Sequence, residues 1–176
     1  QVLPYIADKS VIDTEFTFVN EKGITIESTG HTTHIVEAMR LDSAEKENIL
    51  TEVPFADKEI YSKRIYEGGY KVVIISILAD ANLGVYQRKG TGGKIAFLEG
   101  YHPITDQANW DNYINGQYES NGFKFTKENL EQFSELYEFI GINSPTQIVE
   151  NLKYIRSHLP QDCLMAVMLG GELYYE

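Results

Sequence analysis

Cysteine is almost absent from this chain, since Cys163 is the only one, and an internal disulfide is therefore excluded. Long hydrophobic runs are also missing, and no segment has the roughly 20 apolar residues that a membrane-spanning helix needs. Basic residues are outnumbered by acidic ones, 15 against 26, which gives a formal net charge of −11. A surface of this charge repels phosphate backbones and anionic lipid headgroups. We therefore expect neither nucleic acid nor a membrane as a partner.

The chain does contain enough apolar material for a folded core. Its 176 residues are 43% hydrophobic and 12% aromatic, which argues against disorder. Cys163 lies in an apolar run and is interpreted as a core residue rather than a nucleophile. The sequence predicts one domain over residues 1–176, with a loop-rich insertion at 99–122. Because the chain starts at Gln1 without an initiator Met, we expect a processed form or a fragment. A fragment that lacks a C-terminal segment is one form of that expectation. Cytoplasmic and secreted locations both stay open.

Alternating strands and helices predict an α/β fold. Tyr70–Leu78 is β-branched and apolar on both faces, which is typical of a central parallel strand. The glycine-rich segment Gly84–Gly93 is predicted to be a loop, and Thr126–Ile140 a helix with one apolar face. Ser144–Pro145 is typical of a helix start, and Cys163–Leu169 of a second buried strand. This order predicts a mostly parallel central sheet with helices on both faces.

The stretch Ser28–His34 crowds hydroxyls, a glycine and two imidazoles between a short β-type run and a helical run. In an open α/β sheet, ligands bind where strands end and helices begin. A second polar group, Asp80–Asn82, follows the most hydrophobic strand. If both strand ends face one crevice, they form a site in which Ser28 is the nucleophile. Alternatively, the hydroxyls cap the helix, and Asp80 and Asn82 belong to an ordinary turn.

The two histidines of this stretch also fit a metal site in part. His31 and His34 are three residues apart, so on a helix they share a face and could hold a metal ion. No third ligand follows at a diagnostic spacing. We therefore predict no metal and no cofactor, and expect both histidines to cap or pack the helix.

Aromatic and amide side chains alternate in the insertion. The aromatic members are Tyr101, Trp110, Tyr113 and Tyr118. Aromatic faces combined with amide donors suit sugar rings, which predicts a carbohydrate-binding role for Tyr101, Trp110 and Tyr113. The alternative is a small aromatic core beneath a long loop.

Three blocks of the chain resemble the SGNH hydrolase family of esterases, lipases and carbohydrate O-acetylesterases. Ile26–His31 resembles the first block, with Ile26-Glu27-Ser28 in place of Gly-Asp-Ser. Val73–Asn82 resembles the third block, with Asp80-Ala81-Asn82 in place of Gly-x-Asn-Asp. Ser144–Leu169 resembles the capped helix, proline and strand late in the family's fold. The resemblance implies a flavodoxin-like three-layer sandwich.

The resemblance also implies roles for individual residues. Ser28 would attack an ester carbonyl, while the Gly30 N–H and the Asn82 amide would hold the oxyanion. Asp80 would orient a histidine. The family's Asp-x-x-His after the last strand has no counterpart in this sequence. The candidates for the base are a histidine beyond residue 176, His102 and His34.

We therefore predict an SGNH-like ester hydrolase that acts on a small-molecule or carbohydrate acyl ester. The aromatic insertion favours a carbohydrate ester. The alternative is a non-catalytic binding or assembly protein on the same fold, with a degenerate site and an acidic surface.

Overall fold

The computed structural model of the chain describes residues 18–19, 25–26, 30–53, 56, 58–118 and 123–168. Their helices and strands, in chain order, are β1 (Phe18–Val19), β2 (Thr25–Ile26), α1 (Thr32–Arg40), α2 (Ser43–Glu52), α3 (Arg64–Glu67), β3 (Val72–Ser76), β4 (Leu83–Arg88), β5 (Lys94–Glu99), α4 (Trp110–Ile114), α5 (Lys127–Leu136), β6 (Tyr137–Ile142), α6 (Pro145–His158) and β7 (Leu164–Met168). Short 3₁₀ turns lie at Lys58–Tyr61, Ala79–Ala81 and Gln107–Asn109.

The strands of the described residues form three separate sheets. The largest is antiparallel and has the order β5–β4–β6, whereas β3 and β7 form a parallel pair and β1 and β2 an antiparallel pair. The prediction of a flavodoxin-like three-layer sandwich with a mostly parallel sheet is therefore wrong. The chain mixes helices with a main sheet that is antiparallel.

One reason for this difference is the segment Gly84–Gly93, which was expected to be a loop. Its first half belongs to β4, and its second half is a turn that returns the chain directly into β5. Gly90 and Gly92 adopt φ values of +86° and +81°, a left-handed conformation that glycine reaches without a steric penalty. The turn is closed by a hydrogen bond of 2.7 Å from Arg88 N to Gly93 O. Its glycines therefore form a hairpin rather than an open loop.

The second reason is that the predicted helix Thr126–Ile140 ends early. Thr126 caps it and shares a capping box with Asn129, but the helix stops at Leu136 and β6 begins at the next residue. Residues 137–142 read Tyr-Glu-Phe-Ile-Gly-Ile, and their aromatic and β-branched side chains pair well across a sheet. Pairing with β4 therefore decides the conformation of this segment.

The predicted positions of β3 and α6 agree with the structure, but β3 is not a central strand and β7 is not a buried one, because they form a two-stranded sheet with one exposed face. β3 lies within the predicted strand and pairs in parallel with β7. Ser144 is the N-cap of α6, its hydroxyl accepts from the Gln147 N–H, and Pro145 occupies the first turn. These local patterns are strong enough to determine both elements.

Buried apolar side chains form two clusters that meet at α1. The larger cluster joins the antiparallel sheet to α2, α5 and the insertion, and Ala38 of α1 belongs to it. The smaller cluster joins β3 to α6, and Ile35 and Val36 of α1 belong to it. The N-terminus of α1 therefore lies at the junction of the two sheets.

The other face of the β3–β7 pair is exposed. Val72, Ile74 and Leu164 have exposed fractions of 51%, 48% and 63%. Parallel strands are usually covered on both faces, so this pair differs from a typical α/β core. None of the described helices is both long and apolar enough to cross a membrane.

Candidate functional site

The first turn of α1 is buried, so its backbone N–H groups need partners within the protein. His31 is the N-cap, with extended backbone angles, and its Nδ1 accepts from the Thr33 N–H at 3.2 Å. The Thr32 N–H donates to the Asp80 carboxylate at 3.0 Å. An imidazole and a carboxylate therefore cap this helix in place of the hydroxyls that the sequence favoured.

Asp80 is the centre of the polar cluster. It is fully buried in the 3₁₀ turn that follows β3. Besides the Thr32 N–H, it accepts a short hydrogen bond from the Thr32 hydroxyl and one of 2.8 Å from the Asn143 amide. Burial raises the pKa of the Asp80 carboxyl, and the hydrogen bonds from Thr32 and Asn143 act in the opposite direction. The carboxylate therefore links the ends of β3 and β6 to the start of α1.

Two asparagines complete this cluster, and sequence reasoning missed both. The Asn143 amide donates to the Thr33 hydroxyl at 3.0 Å as well as to Asp80. The buried Asn151 donates to the Thr32 hydroxyl at 2.9 Å. Asn151 occupies the apolar face of α6, three residues after Ile148 and four before Ile155. A polar residue at a core position of an amphipathic helix is the signal that could have found it.

His31 is a neutral and completely buried side chain. Burial lowers its pKa to about 3. Because Nδ1 accepts a hydrogen bond, the proton of the neutral ring lies on Nε2. That Nε2 is buried and has no hydrogen-bond partner among the described residues. Its Nδ1 lies 3.8 Å from an Asp80 oxygen, but a neutral ring forms no ion pair there.

His34 connects α1 to the antiparallel sheet. Its Nε2 accepts from the Ala96 N–H of β5 at 2.8 Å, and the side chain is fully buried. The ring centroids of His31 and His34 are 5.5 Å apart. Within the described ranges, no group of three His, Cys, Asp or Glu residues is placed to hold a metal ion.

A pocket of about 150 Å³ adjoins the cluster. Its polar lining includes Thr33, Glu37 and Arg40 from α1, Lys94 from β5, and Asn143 and Gln147 at the start of α6. Part of the wall is β6 backbone at Gly141, whose φ of +102° accompanies an irregularity in the β4–β6 register. Thr33 and Asn143 belong to both the cluster and the pocket, so the hydrogen-bonded cluster fixes one wall of the pocket.

Glu37 is the buried charge of the pocket, with an exposed fraction of 4%. It accepts a hydrogen bond of 3.4 Å from the Lys94 N–H. Burial raises the pKa of its carboxyl, while the positive charges of Arg40 and Lys94 lower it. One carboxyl therefore faces two cations across the pocket.

Several predicted site residues lie apart from the pocket or outside the described ranges. Ser28 lies outside them, whereas Gly30 is described and half-buried immediately before His31. Asn82 is exposed, and its amide donates to the Leu78 carbonyl at 2.9 Å. His102 is half-buried and stacks on Tyr118 with ring centroids 4.1 Å apart.

The insertion packs its largest side chains inward. The Trp110 indole N–H donates to the Ile104 carbonyl at 2.8 Å, and the Tyr113 hydroxyl donates to the His102 carbonyl at 2.5 Å. Both side chains are buried in the larger apolar cluster. Tyr101, by contrast, is 69% exposed. In this arrangement only Tyr101 among the three presents its ring to solvent.

Comparison of the chain with protein-family models, curated proteins and solved structures gave no match. The functional inference below therefore depends on the geometry of the site and on the sequence patterns.

Proposed function

We propose that this chain hydrolyses an acyl ester, with Ser28 as the nucleophile and the polar pocket as the place for the polar part of the substrate. The observation that supports this proposal is the buried cluster of His31, Thr32 and Asp80, which adjoins the pocket. Ser28 precedes His31, the N-cap of α1, by three residues in the sequence.

In the proposed reaction, the Ser28 oxygen attacks the ester carbonyl carbon and its proton passes to a base. The carbonyl oxygen becomes an oxyanion, which the Gly30 N–H would stabilise. The base then protonates the departing alcohol, and water releases the acyl group from Ser28 in a second, equivalent step. Asn82 would donate to the oxyanion through the amide hydrogen that is not bonded to the Leu78 carbonyl.

Of the histidines in the chain, His102 and His34 are the candidates for the base. His102 stacks on Tyr118 and is not part of the pocket lining, but its ring nitrogens form no hydrogen bond with any described residue. The other candidate in the chain, His34, already accepts the Ala96 N–H at Nε2 and would have to give up that bond.

The test is turnover of p-nitrophenyl acetate by the wild type, Ser28→Ala and the matched control Ser157→Ala. Ser157 is exposed and bonds only to Tyr154 and His158, so its loss should leave the rate unchanged. Ser28→Ala should lower kcat by more than about a thousandfold, because no other group can form the acyl intermediate. The proposal is wrong if the wild type has no turnover above the control reaction, or if Ser28→Ala retains it. His102→Gln tests the base separately and should lower kcat by about a hundredfold.

A second candidate function is binding without catalysis. The Thr32 hydroxyl, the Thr33 hydroxyl and the Asp80 carboxylate are all engaged in hydrogen bonds within the cluster. Such a cluster serves as a rigid wall for a ligand pocket even without a reaction. This function predicts ligand binding in the pocket together with no esterase turnover.

A further inference from the structure

Two cations of the pocket have hydrogen-bond donors that the described part of the chain does not use. Arg40 ends α1, and its guanidinium carbon lies 5.7 Å from the centre of the Tyr154 ring. Neither the Arg40 guanidinium nor the Lys94 ammonium forms a hydrogen bond with the described part of the chain, although both act electrostatically on Glu37. By contrast, the Arg88 guanidinium is fully engaged with acidic partners. The hydrogen-bond donors of Arg40 and Lys94 can therefore bind an anionic group, which would share the two positive charges with the buried Glu37.

The start of α6 adds a second favourable feature for an anion. This helix has 14 residues, and its N-cap Ser144 lines the pocket. The N-terminus of a helix carries a partial positive charge that favours a carboxylate or phosphate. It adds to the two cationic side chains on the same pocket.

The remaining polar atoms suit hydroxyl groups. Asn143 and Gln147 use their amide N–H groups inside the cluster, toward Thr33, Asp80 and Asn151. Their carbonyl oxygens accept no hydrogen bond from the residues that the structure describes. These oxygens can accept from the hydroxyls of a ligand that enters the pocket.

The size of the pocket limits the ligand. Its volume is about 150 Å³, and it is partly open to solvent. Pockets for drug-sized ligands begin at about 300 Å³. The ligand, or the part of it that enters, is therefore about as large as a single sugar ring.

From these four features we propose that the pocket binds the carboxylate of a small hydroxylated acid, of the kind found in a sugar acid. The carboxylate lies between Arg40 and Lys94 at the start of α6, and the hydroxyls meet the Asn143 and Gln147 carbonyl oxygens. The proposal deepens the proposed function, because it names the substrate part that the pocket recognises. The proposal concerns binding alone, so it does not depend on hydrolysis.

The experiment compares D-glucuronate with D-glucose, which differ in having a carboxylate or a hydroxymethyl group on the same ring. Each sugar is titrated into the wild-type chain, and binding is measured from the side-chain amide NMR signals of Asn143, Gln147 and Asn151. The same titrations are made with Arg40→Gln, Lys94→Gln and the control Lys153→Gln. Lys153 is exposed on α6 and is not part of the pocket lining.

We expect saturable binding of glucuronate and at least about tenfold weaker binding of glucose, since charge-assisted bonds are the strong ones. Arg40→Gln and Lys94→Gln should each weaken glucuronate binding by about tenfold and leave the glucose titration unchanged. Lys153→Gln should behave as the wild type. A variant that fails to fold would show a loss of amide dispersion in the NMR spectrum. The other cation variant is then sufficient for the test.

Three results overturn the proposal: equal affinity for the two sugars, glucuronate binding that both substitutions leave unchanged, or no saturable shift of these amides. The result is independent of esterase turnover. Binding of glucuronate by a chain without turnover would refute the hydrolase and keep the inference. Turnover that depends on Ser28, together with no preference for glucuronate, would support the hydrolase and refute the inference.

Discussion

Replacement of Asp80 by asparagine tests whether the buried cluster holds the site together. The change preserves the shape of the side chain but replaces one acceptor oxygen by an N–H donor. Three donors converge on this carboxylate, namely the Thr32 N–H, the Thr32 hydroxyl and the Asn143 amide. The new amide has two possible orientations. In one its NH₂ group faces the Thr32 N–H, and in the other it faces the Asn143 N–H.

The cost in stability follows from the number of donors that lose their acceptor. One buried donor loses its acceptor, which costs about 1–3 kcal/mol of the free energy of unfolding. For a chain of this length, that loss corresponds to a fall in Tm of roughly 2–12 °C. The loss of a buried charge offsets part of the cost, because burial raises the pKa of Asp80 in the folded state.

That raised pKa gives the effect a pH dependence with a definite sign. The folded state binds the Asp80 proton more tightly than the unfolded state, so the wild type loses stability as the pH rises from about 3.9 through the folded pKa. Asparagine does not titrate. The stability difference between wild type and Asp80→Asn should therefore be largest near pH 4 and smaller at pH 7.

The assay is urea denaturation at both pH values, with Asp162→Asn as the matched control. Asp162 is exposed and pairs with the exposed Lys71, so its substitution should leave the midpoint almost unchanged at pH 7. Equal stability of Asp80→Asn and wild type at both pH values would show that the cluster does not hold the fold. A difference that grows with pH would show that the hydrogen bonds outweigh burial and that the pKa of Asp80 is lowered.

Two further predictions concern polar contacts away from the pocket. Arg88→Met removes the bonds of a half-buried guanidinium to Glu52, of 2.8 and 2.6 Å, and to Glu45, of 3.2 Å, and should destabilise the fold by about 1–3 kcal/mol in urea denaturation at pH 7. Hydrogen bonding from Arg88 lowers the pKa of Glu52, so this contribution is present above about pH 4.3 and is lost as the pH falls through the lower folded pKa; a penalty independent of pH would contradict the assignment. His34→Leu leaves the buried Ala96 N–H without its acceptor and should cost about 1–3 kcal/mol. Hydrogen exchange at the Ala96 amide should accelerate, and unchanged protection would show that another acceptor replaces the imidazole.

Local sequence signals predicted those elements whose conformation is decided by neighbouring residues. Ser144 and Pro145 start α6 because a hydroxyl cap and a fixed φ act within one turn. The change from helix to strand at Tyr137 depends on pairing with β4, which lies about fifty residues earlier in the chain. Sheet pairing of this kind leaves little trace in the local pattern, so β4 was predicted as a loop and β6 as the end of a helix, and the antiparallel sheet was missed.

The candidate site was also predicted only in part. Sequence reasoning singled out both Asp80 and the start of α1, and the structure joins them through Thr32. The partners Asn143 and Asn151 were not found, because each meets α1 only through the tertiary packing of β6 and α6. The expectation that the histidines cap or pack the helix agrees with the structure, in which His31 caps α1 and His34 is buried.

The shared position of α1 has a thermodynamic consequence. Because this helix contributes side chains to both apolar clusters, its loss would expose the inner faces of both sheets at once. The two clusters are thus coupled in unfolding, although their strands belong to separate sheets. A ligand in the pocket touches α1, β6 and α6, which together reach both clusters. Its binding free energy would therefore stabilise both clusters together. Binding in this one small pocket would then raise the melting temperature of the described fold as a whole.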